Sequence, residues 1–262
     1  MVAVRAGLPW LSLLAAVLAS LGALEFYRMA ERRGARPAVL LGIAWALSFI
    51  VSGHMGGWPT PWIILVGAVV TLFWHQLRRL VSLLLRTRGE AAPRGFKDAL
   101  WDWAYTAAGA LYVGWTLSLA LILRADVKGL EWVLVALLGT FATDTGAFFI
   151  GRALGRRPLA PRISPGKTWE GAVGGFLFGA GIVLALASWL ELPIPTWEGA
   201  ILGVLVGISA QVGDLVESRV KRASGVKDAG KLIPGHGGIL DRLDSVVFVM
   251  VVVYHFSIWM VK

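Results

Sequence analysis

The sequence lacks cysteine altogether, and only 16% of its 262 residues are charged. Without cysteine, the chain can form neither disulfides nor thiolate metal sites. Soluble domains carry about 25% charged residues. The shortage of charge therefore argues against an ordinary water-soluble domain.

Hydrophobic residues, by contrast, make up 57% of the chain. A helix that crosses a bilayer needs about 20 mostly apolar residues, and such runs recur from end to end. The first run continues through Leu24 and Phe26 without a small-residue cleavage site, so it is interpreted as a span and not as a signal peptide. We predict an all-α polytopic membrane protein, one domain over residues 1–262, with about eight transmembrane helices. They are expected near 7–27, 38–53, 60–77, 103–123, 130–150, 171–190, 198–213 and 240–261, of which the second is short.

The net charge of +9 arises from basic residues in alternate connections between the apolar runs. These connections follow the first, third, fifth and seventh runs, whereas those between them are nearly free of Lys and Arg. This alternation follows the positive-inside rule and argues against nucleic-acid binding. It predicts that the basic connections are cytoplasmic and that both termini lie outside.

The most informative cytoplasmic segment is residues 211–245, QVGDLVESRVKRASGVKDAGKLIPGHGGILDRLDS. Five of its side chains have i, i+3, i+4, i+7 and i+8 spacing, which places them on one face of a helix. These are Asp214, Glu217, Ser218, Lys221 and Arg222. Asp241, Asp244 and Ser245 repeat the first part of this spacing at the start of the last run, after a glycine-rich loop.

Two carboxylates at facing helix ends, with Lys and Arg beside them, suit a divalent cation that carries a polyphosphate. Asp214 and Asp241 are the candidate pair. The alternative is a solvated interfacial loop whose charges only determine topology. His236, in the same loop, is a candidate phosphate ligand or proton-transfer group, and a purely structural loop histidine is the alternative.

A second candidate segment is residues 144–171, DTGAFFIGRALGRRPLAPRISPGKTWEG. Asp144 lies at the end of an apolar run, where an ionised group is costly and indicates function. Its alternative is an interfacial pair with Arg152. Ser164 and Lys167 precede a glycine-rich span, so they are candidate phosphate ligands near a helix N-terminus. The prolines on either side are also typical of a simple turn.

These motifs resemble the phosphatidate cytidylyltransferase (CDP-diglyceride synthase) family. The resemblance rests on the stretch from Ser218 to Asp244 and on DTGAFFIGR and ISPGKTWEG upstream, and it covers roughly residues 130–262. The matching residues of the first stretch are Ser218, Lys221, Arg222, Lys227, Asp228, Leu232, Pro234, His236, Gly237, Gly238, Asp241, Arg242 and Asp244. Gly166 departs from the pattern, since many members have lysine there. The segment GALEFYRMAERRG also departs, because it resembles the end of the family's second span but here follows only one.

The resemblance implies CTP and phosphatidic acid as substrates, Mg²⁺ as cofactor, with a second cation left open, and Asp214 and Asp241 as metal ligands. It also implies catalytic roles for Lys221 and Asp144. Substrate contacts are implied for Ser164, Lys167, Ser218, Arg222, Lys227, Asp228, His236, Arg242 and Asp244. The expected location is a bacterial inner membrane with the active site on the cytoplasmic side. Membrane lipids are expected partners, and a homodimer is left open.

Two alternatives remain at this point. A CTP-dependent lipid kinase of the polyprenol or phytol type would share the membrane setting but transfer the γ-phosphate to an alcohol. A transporter would place its charges near the middle of the bilayer in matched halves, whereas the charges here cluster at one face.

Overall fold

A computed structural model describes residues 7–57, 59–85, 95–230 and 237–261. His236 and its neighbours from residue 231 onward lie outside these ranges. Eight helices run through the described residues, as predicted. They are α1 (Leu8–Arg32), α2 (Val39–His54), α3 (Thr60–Leu84), α4 (Phe96–Ala125), α5 (Gly129–Leu154), α6 (Trp169–Trp189), α7 (Thr196–Ala223) and α8 (Leu240–Val261).

Seven of these helices are long and apolar enough to cross a membrane, and α2, with 16 residues, is shorter. The chain is therefore a multi-pass membrane protein. Three helices extend by seven residues or more beyond the predicted spans, because α3 continues to Leu84, α4 begins at Phe96 and α7 continues to Ala223. Asp214 consequently lies inside α7 and does not end it. The added turns of α7 are polar, so they continue the helix past its apolar part.

Helices α5 to α8 pack in sequence, and α8 also contacts α1 and α4. Glycines allow the closest approaches. A Cβ atom on Gly175 of α6 would lie 2.6 Å from the backbone oxygen of Thr143 on α5, and one on Gly203 of α7 would lie 2.6 Å from that of Ala180. Small residues permit such backbone contact between membrane helices. The contact fixes α5 and α7, and hence their acidic residues, relative to α6.

Apolar side chains fill the centre of the bundle, and large ones also cover its outside. Trp132, Val133 and Leu121 are almost completely buried, whereas Trp62, Phe73 and Leu84 on α3 are mostly exposed. Such an apolar exterior is unfavourable in water and suits lipid. The outward-facing surface of α3 is therefore interpreted as lipid-facing.

A short antiparallel hairpin interrupts the helical pattern between α5 and α6. Strand β1 (Pro158–Ala160) pairs with β2 (Ser164–Thr168), with Ala160 opposite Ser164. The sequence did not predict these strands. The hairpin ends directly at α6, whose N-terminus is capped by Thr168, since its Oγ1 accepts the N–H of Gly171 at 3.1 Å.

Helix α4 contains a segment with π-helical hydrogen bonding at Ala110–Trp115. Segments of this kind insert extra residues into a turn and often occur at functional sites. Here the segment carries Tyr112, whose ring contacts Phe26 of α1 and Phe248 of α8.

Candidate active site

Three aspartates from three helices form an acidic cluster. Asp144 on α5, Asp214 on α7 and Asp244 on α8 lie close enough for their charges to repel one another. Lys167, on β2, is the nearest counter-ion, since its Nζ lies 2.5 Å from Oδ2 of Asp214. Residues from both predicted segments thus meet, and the hairpin holds the lysine that balances part of the acidic charge.

Lys221 forms a second, more buried cluster next to the first. Its Nζ lies 2.5 Å from Oε2 of Glu217 and 2.7 Å from Oδ1 of Asp241. The other oxygen of Asp241 accepts the backbone N–H groups of Ala229 at 2.9 Å and Gly238 at 2.7 Å. Asp241 therefore anchors both sides of the glycine-rich loop to the start of α8.

The two candidate metal ligands are consequently in different surroundings. Asp214 pairs with Lys167 and has a side chain 30% exposed, whereas the Asp241 side chain is 9% exposed and is held by Lys221 and two backbone donors. Glu217 connects the clusters, because it interacts electrostatically with both Asp241 and Asp244. The metal roles of Asp214 and Asp241 stay predictions.

The donor set restricts how a cation can bind. No three His, Cys, Asp or Glu side chains in the described parts of the chain converge closely enough to hold a metal ion by themselves. Mg²⁺ usually binds one or two carboxylates and completes its shell with water and substrate phosphates. The acidic cluster fits this mode, in which the nucleotide supplies the missing oxygens.

A cavity of about 520 Å³ opens beside the acidic cluster. Its wall includes Asp144, Asp214, Lys167, Arg152 and Gln211. Helix α5, the hairpin, α6 and α7 all contribute to it. Gln211 is fixed by donating its Nε2–H to the backbone oxygen of Ala172 at 2.9 Å. A site with both carboxylates and cations can accept a metal-bound polyphosphate.

Other predicted residues have clear positions. Ser218 donates its hydroxyl to Oδ1 of Asp214 at 3.2 Å, so it orients that carboxylate. Arg222 donates its Nε–H to the backbone oxygen of Ile163 at 3.1 Å and so connects α7 to the hairpin. Ser164 lies in β2 and Arg242 lies exposed in the first turn of α8. The predicted substrate contacts of these residues stay predictions, as does that of His236, outside the described ranges.

A second cavity, of about 610 Å³, lies between α1 and the start of the glycine-rich loop. Lys227 and Asp228, both predicted from the sequence, line it together with Arg28 and Arg32 of α1. The two cavities have no lining residue in common. From the sequence, Arg28 and Arg32 were predicted only to determine topology, as part of the basic segment that follows the first apolar run.

Glu25 is a further residue that sequence reasoning missed. It is 5% exposed, and its carboxylate accepts the backbone N–H groups of Ile239 at 3.1 Å and Leu240 at 2.8 Å. It therefore caps the N-terminus of α8 from another helix, which satisfies donors that a helix end leaves free. The sequence does contain a signal for Glu25, because an acidic residue within an apolar span by default indicates function.

Tyr112 is another functional candidate that sequence reasoning missed. In the part of the chain that the structure describes, its buried hydroxyl has no hydrogen-bond partner. The charges of Asp214, Glu217 and Asp244 all act on it. No sequence signal indicated this position, because the π-helical segment that orients Tyr112 leaves no recognisable pattern.

Comparison with known proteins agrees with the resemblance seen in the motifs. A family model described as the cytidylyltransferase family matches residues 1–259. A phosphatidate cytidylyltransferase of Brucella suis biovar 1 is 37% identical over 195 residues, which cover 70% of this chain and 72% of that protein. The family model thus also covers the N-terminal half, beyond the region that carries the motifs.

Two further relatives have the same name. The phosphatidate cytidylyltransferase of Bacillus subtilis is 40% identical over 151 residues, covering 57% of this chain and 56% of that protein. That of Staphylococcus saprophyticus is 42% identical over 175 residues, covering 67% of this chain and 66% of that protein. The match thus spans less than two thirds of the length of these two relatives.

Proposed function

The chain belongs to the cytidylyltransferase family, and we propose that it transfers the cytidylyl group of CTP to phosphatidic acid, giving CDP-diacylglycerol and pyrophosphate. The observation that carries this proposal is the acidic cluster of Asp144, Asp214 and Asp244 beside Lys167 at the wall of a cavity in a membrane protein. Relatives named phosphatidate cytidylyltransferase support the same substrates.

The reaction needs no protein nucleophile. A phosphate oxygen of phosphatidic acid attacks the α-phosphorus of CTP, and the new P–O bond replaces the bond to pyrophosphate, which leaves with its electron pair. Both reactants are anions, so the protein contributes alignment and charge neutralisation. Lys167 and Arg152 in the first cavity are suited to contact the triphosphate, and Lys221 is suited to hold Asp241 and the adjoining loop in place.

We further propose Mg²⁺ as the cofactor. Asp214 would be its principal ligand, with Asp144 and Asp244 beside it, and Asp241 would join this set only if Lys221 moved away from Oδ1. When bound, Mg²⁺ would neutralise phosphate charge and polarise the reacting phosphorus. Ser218 orients Asp214, and Lys167 balances its charge in the absence of the cation.

The proposed location is a bacterial inner membrane with the acidic cluster on the cytoplasmic side. Support comes from the basic residues that follow α1, α3, α5 and α7, since Lys and Arg concentrate in cytoplasmic connections. The homodimer stays a prediction. The names of the relatives favour cytidylyl transfer over the lipid kinase, and the clustering of charges at one end of the bundle disfavours the transporter.

Labelled CTP tests the proposal directly. Purified protein is incubated with Mg²⁺, phosphatidic acid, a polyprenol as the competing acceptor, and CTP that is radiolabelled either at the α- or at the γ-phosphate. Label from the α-position is expected in the lipid product, with label from the γ-position released as pyrophosphate. ATP serves as the control nucleotide and should give no product. Transfer of the γ-label to a lipid alcohol would establish the kinase alternative and overturn the proposal.

A further inference from the structure

The wall that α1 contributes to the second cavity changes from apolar to cationic along the helix. Leu21, Leu24, Arg28 and Arg32 all line the cavity, and spacings of three and four residues keep them on one helix face. The leucines lie within the apolar span, and the arginines lie in its last two turns. An amphipathic ligand with an anionic end matches such a gradient.

The facing wall adds a third cation. Residues 226–230 supply it, and the side chain of Lys227 is exposed there, as are those of Arg28 and Arg32. None of the three forms an ion pair or side-chain hydrogen bond within the described ranges. The wall contains two acidic residues, Glu25 and Asp228. The carboxylate of Glu25 binds the N-terminus of α8, so Asp228 is the acidic residue that remains to offset the three cations. The cavity wall is therefore cationic on balance.

The second cavity adjoins the cluster around Lys221, which lies next to the acidic cluster. Ala229, in its wall, donates its N–H to Asp241, and Asp241 pairs with Lys221 of α7. Asp214, two turns before Lys221 on the same helix, lines the first cavity. The contacts of Asp241 and the two turns of α7 between Lys221 and Asp214 thus connect the two cavities.

We propose that the second cavity binds the phosphate monoester of the lipid substrate, with Arg28, Arg32 and Lys227 at the phosphate and Leu21 and Leu24 beside the start of the acyl chains. This assignment rests on the proposed function and extends it, since it gives the lipid a site formed mainly by the N-terminal helix. The volume of about 610 Å³ is within the usual range for small-molecule sites.

The nucleotide triphosphate is the other source of the same phosphate chemistry. It fits the first cavity better, because that cavity contains the carboxylates suited to a metal–triphosphate complex. The second cavity contains Arg28, Arg32 and Lys227 together with an apolar stripe instead. Arginine recognises phosphate through paired N–H groups, so the two arginines of α1 are the residues to test.

The test compares Arg28→Gln, Arg32→Gln and the double variant with Arg36→Gln, a matched control. Arg36 is exposed just after α1 and is not part of the cavity wall. Activity is measured in mixed micelles with the mole fraction of phosphatidic acid and the CTP concentration varied separately. The KM for phosphatidic acid is expected to rise about tenfold in each single variant, as for the loss of one charged hydrogen bond. The KM for CTP should stay within about twofold, and Arg28→Lys should recover part of the loss.

A binding measurement without turnover separates this inference from the proposed function. Detergent-solubilised protein is mixed with phosphatidic acid or phosphatidylcholine, and retained lipid is counted by native mass spectrometry, with inorganic phosphate as a competitor. Selective retention of phosphatidic acid by the wild type and the control, but not by the double variant, supports the site even if no cytidylyl transfer is detected. The inference is overturned by active variants with an unchanged KM for phosphatidic acid. It is equally overturned by a rise in the KM for CTP alone, which would assign the cavity to the triphosphate.

Discussion

The carboxylate of Glu25 accepts the backbone N–H of Leu240 at 2.8 Å, and so joins the first membrane helix to the first turn of the last one. The same carboxylate also binds the N–H of Ile239. Asp241 follows Leu240 in the chain and anchors the glycine-rich loop. Helix α1 therefore helps to position Asp241 and its partner Lys221. The first helix is thus connected directly to the segment that carries Asp241.

Replacing Glu25 should therefore affect both stability and activity. Glu25→Ala leaves the buried N–H of Leu240 and the partly buried N–H of Ile239 without their acceptor. An unsatisfied buried donor costs about 1–3 kcal/mol. Glu25→Gln keeps one acceptor oxygen and should recover part of the loss. Thermal unfolding in detergent and cytidylyl transfer are the measurements, with Glu31→Gln as the control on the exposed side of α1. A Glu25→Ala protein that matches this control in both would contradict the capping role.

Gly238 offers an independent test of the same contact. A Cβ atom at this position would lie closer to both carboxylate oxygens of Glu25 than any real side chain does. Gly238→Ala should consequently displace Glu25 or the loop and destabilise the protein by roughly 1–3 kcal/mol, as overpacking does, with loss of activity. Gly181→Ala is the control, since an added Cβ there would meet no atom within 4 Å apart from the nearby backbone of its own helix. Equal melting temperatures and activities of the two variants would argue against a tight Glu25 contact.

The membrane fold could be predicted because bilayer thickness imposes a length on every apolar run. All eight predicted helices are confirmed, including the short α2. Extensions that carry charged residues could not be seen by the same criterion, so the ends of α3 and α7 were placed too early and the start of α4 too late. The hairpin at 158–168 was missed because a pair of strands this short has no clear alternation of apolar and polar residues.

The site was predictable where chemistry depends on local spacing. The helical spacing from Asp214 to Arg222 is confirmed, and it brings Glu217 to Lys221 as expected for positions four apart. Contacts between distant segments were not predictable in this way. Glu25 and Tyr112 reach the site through the packing of α1 and α4, which no single-sequence pattern encodes.

Lys167 should be required for nucleotide use. Its Nζ is the cation nearest to Asp214 in the first cavity. Lys167→Gln removes that charge and should lower kcat/KM for CTP by about 100-fold, the order found when one preorganised electrostatic contact is lost. Lys128→Gln is the control. Lys128 pairs with Glu191, and this pair lies near the start of α5 and the end of α6, at the helix ends away from Lys167. If both variants keep wild-type kcat/KM in steady-state assays, Lys167 has no role with the triphosphate.

The absence of native cysteine makes the orientation testable with single introduced cysteines. Arg36→Cys and Ala223→Cys, which are exposed after α1 and at the end of α7, should react with a membrane-impermeant maleimide only after the cells are opened. Met55→Cys and Thr196→Cys should react in intact cells, since the opposite connections carry little basic charge. These positions avoid the neighbouring glycines with positive φ, where a side chain would be strained. Labelling of Ala223→Cys in intact cells would place the acidic cluster outside the cytoplasm.

Asp214→Asn and Asp241→Asn should both abolish turnover, but for different physical reasons. Asp214 lies at a cavity wall beside other carboxylates, so its amide variant loses affinity for Mg²⁺ and keeps nearly normal stability. Asp241 accepts from Lys221 and from two backbone N–H groups. Its amide variant puts an N–H₂ group against one of these donors, which should lower the melting temperature as well.

Thermal unfolding with and without Mg²⁺ and CTP, together with a Mg²⁺ titration of activity, distinguishes the two effects. A ligand that binds only the folded state stabilises it by mass action. The stabilisation by Mg²⁺ and CTP should therefore disappear in Asp214→Asn. The double variant should be no less active than either single one, because both act on one site. Glu191→Gln, at an 86% exposed and distant carboxylate, is the control. A folded Asp214→Asn protein with normal turnover at ordinary Mg²⁺ would refute the metal role, and an unaltered melting temperature in Asp241→Asn would refute the anchoring role.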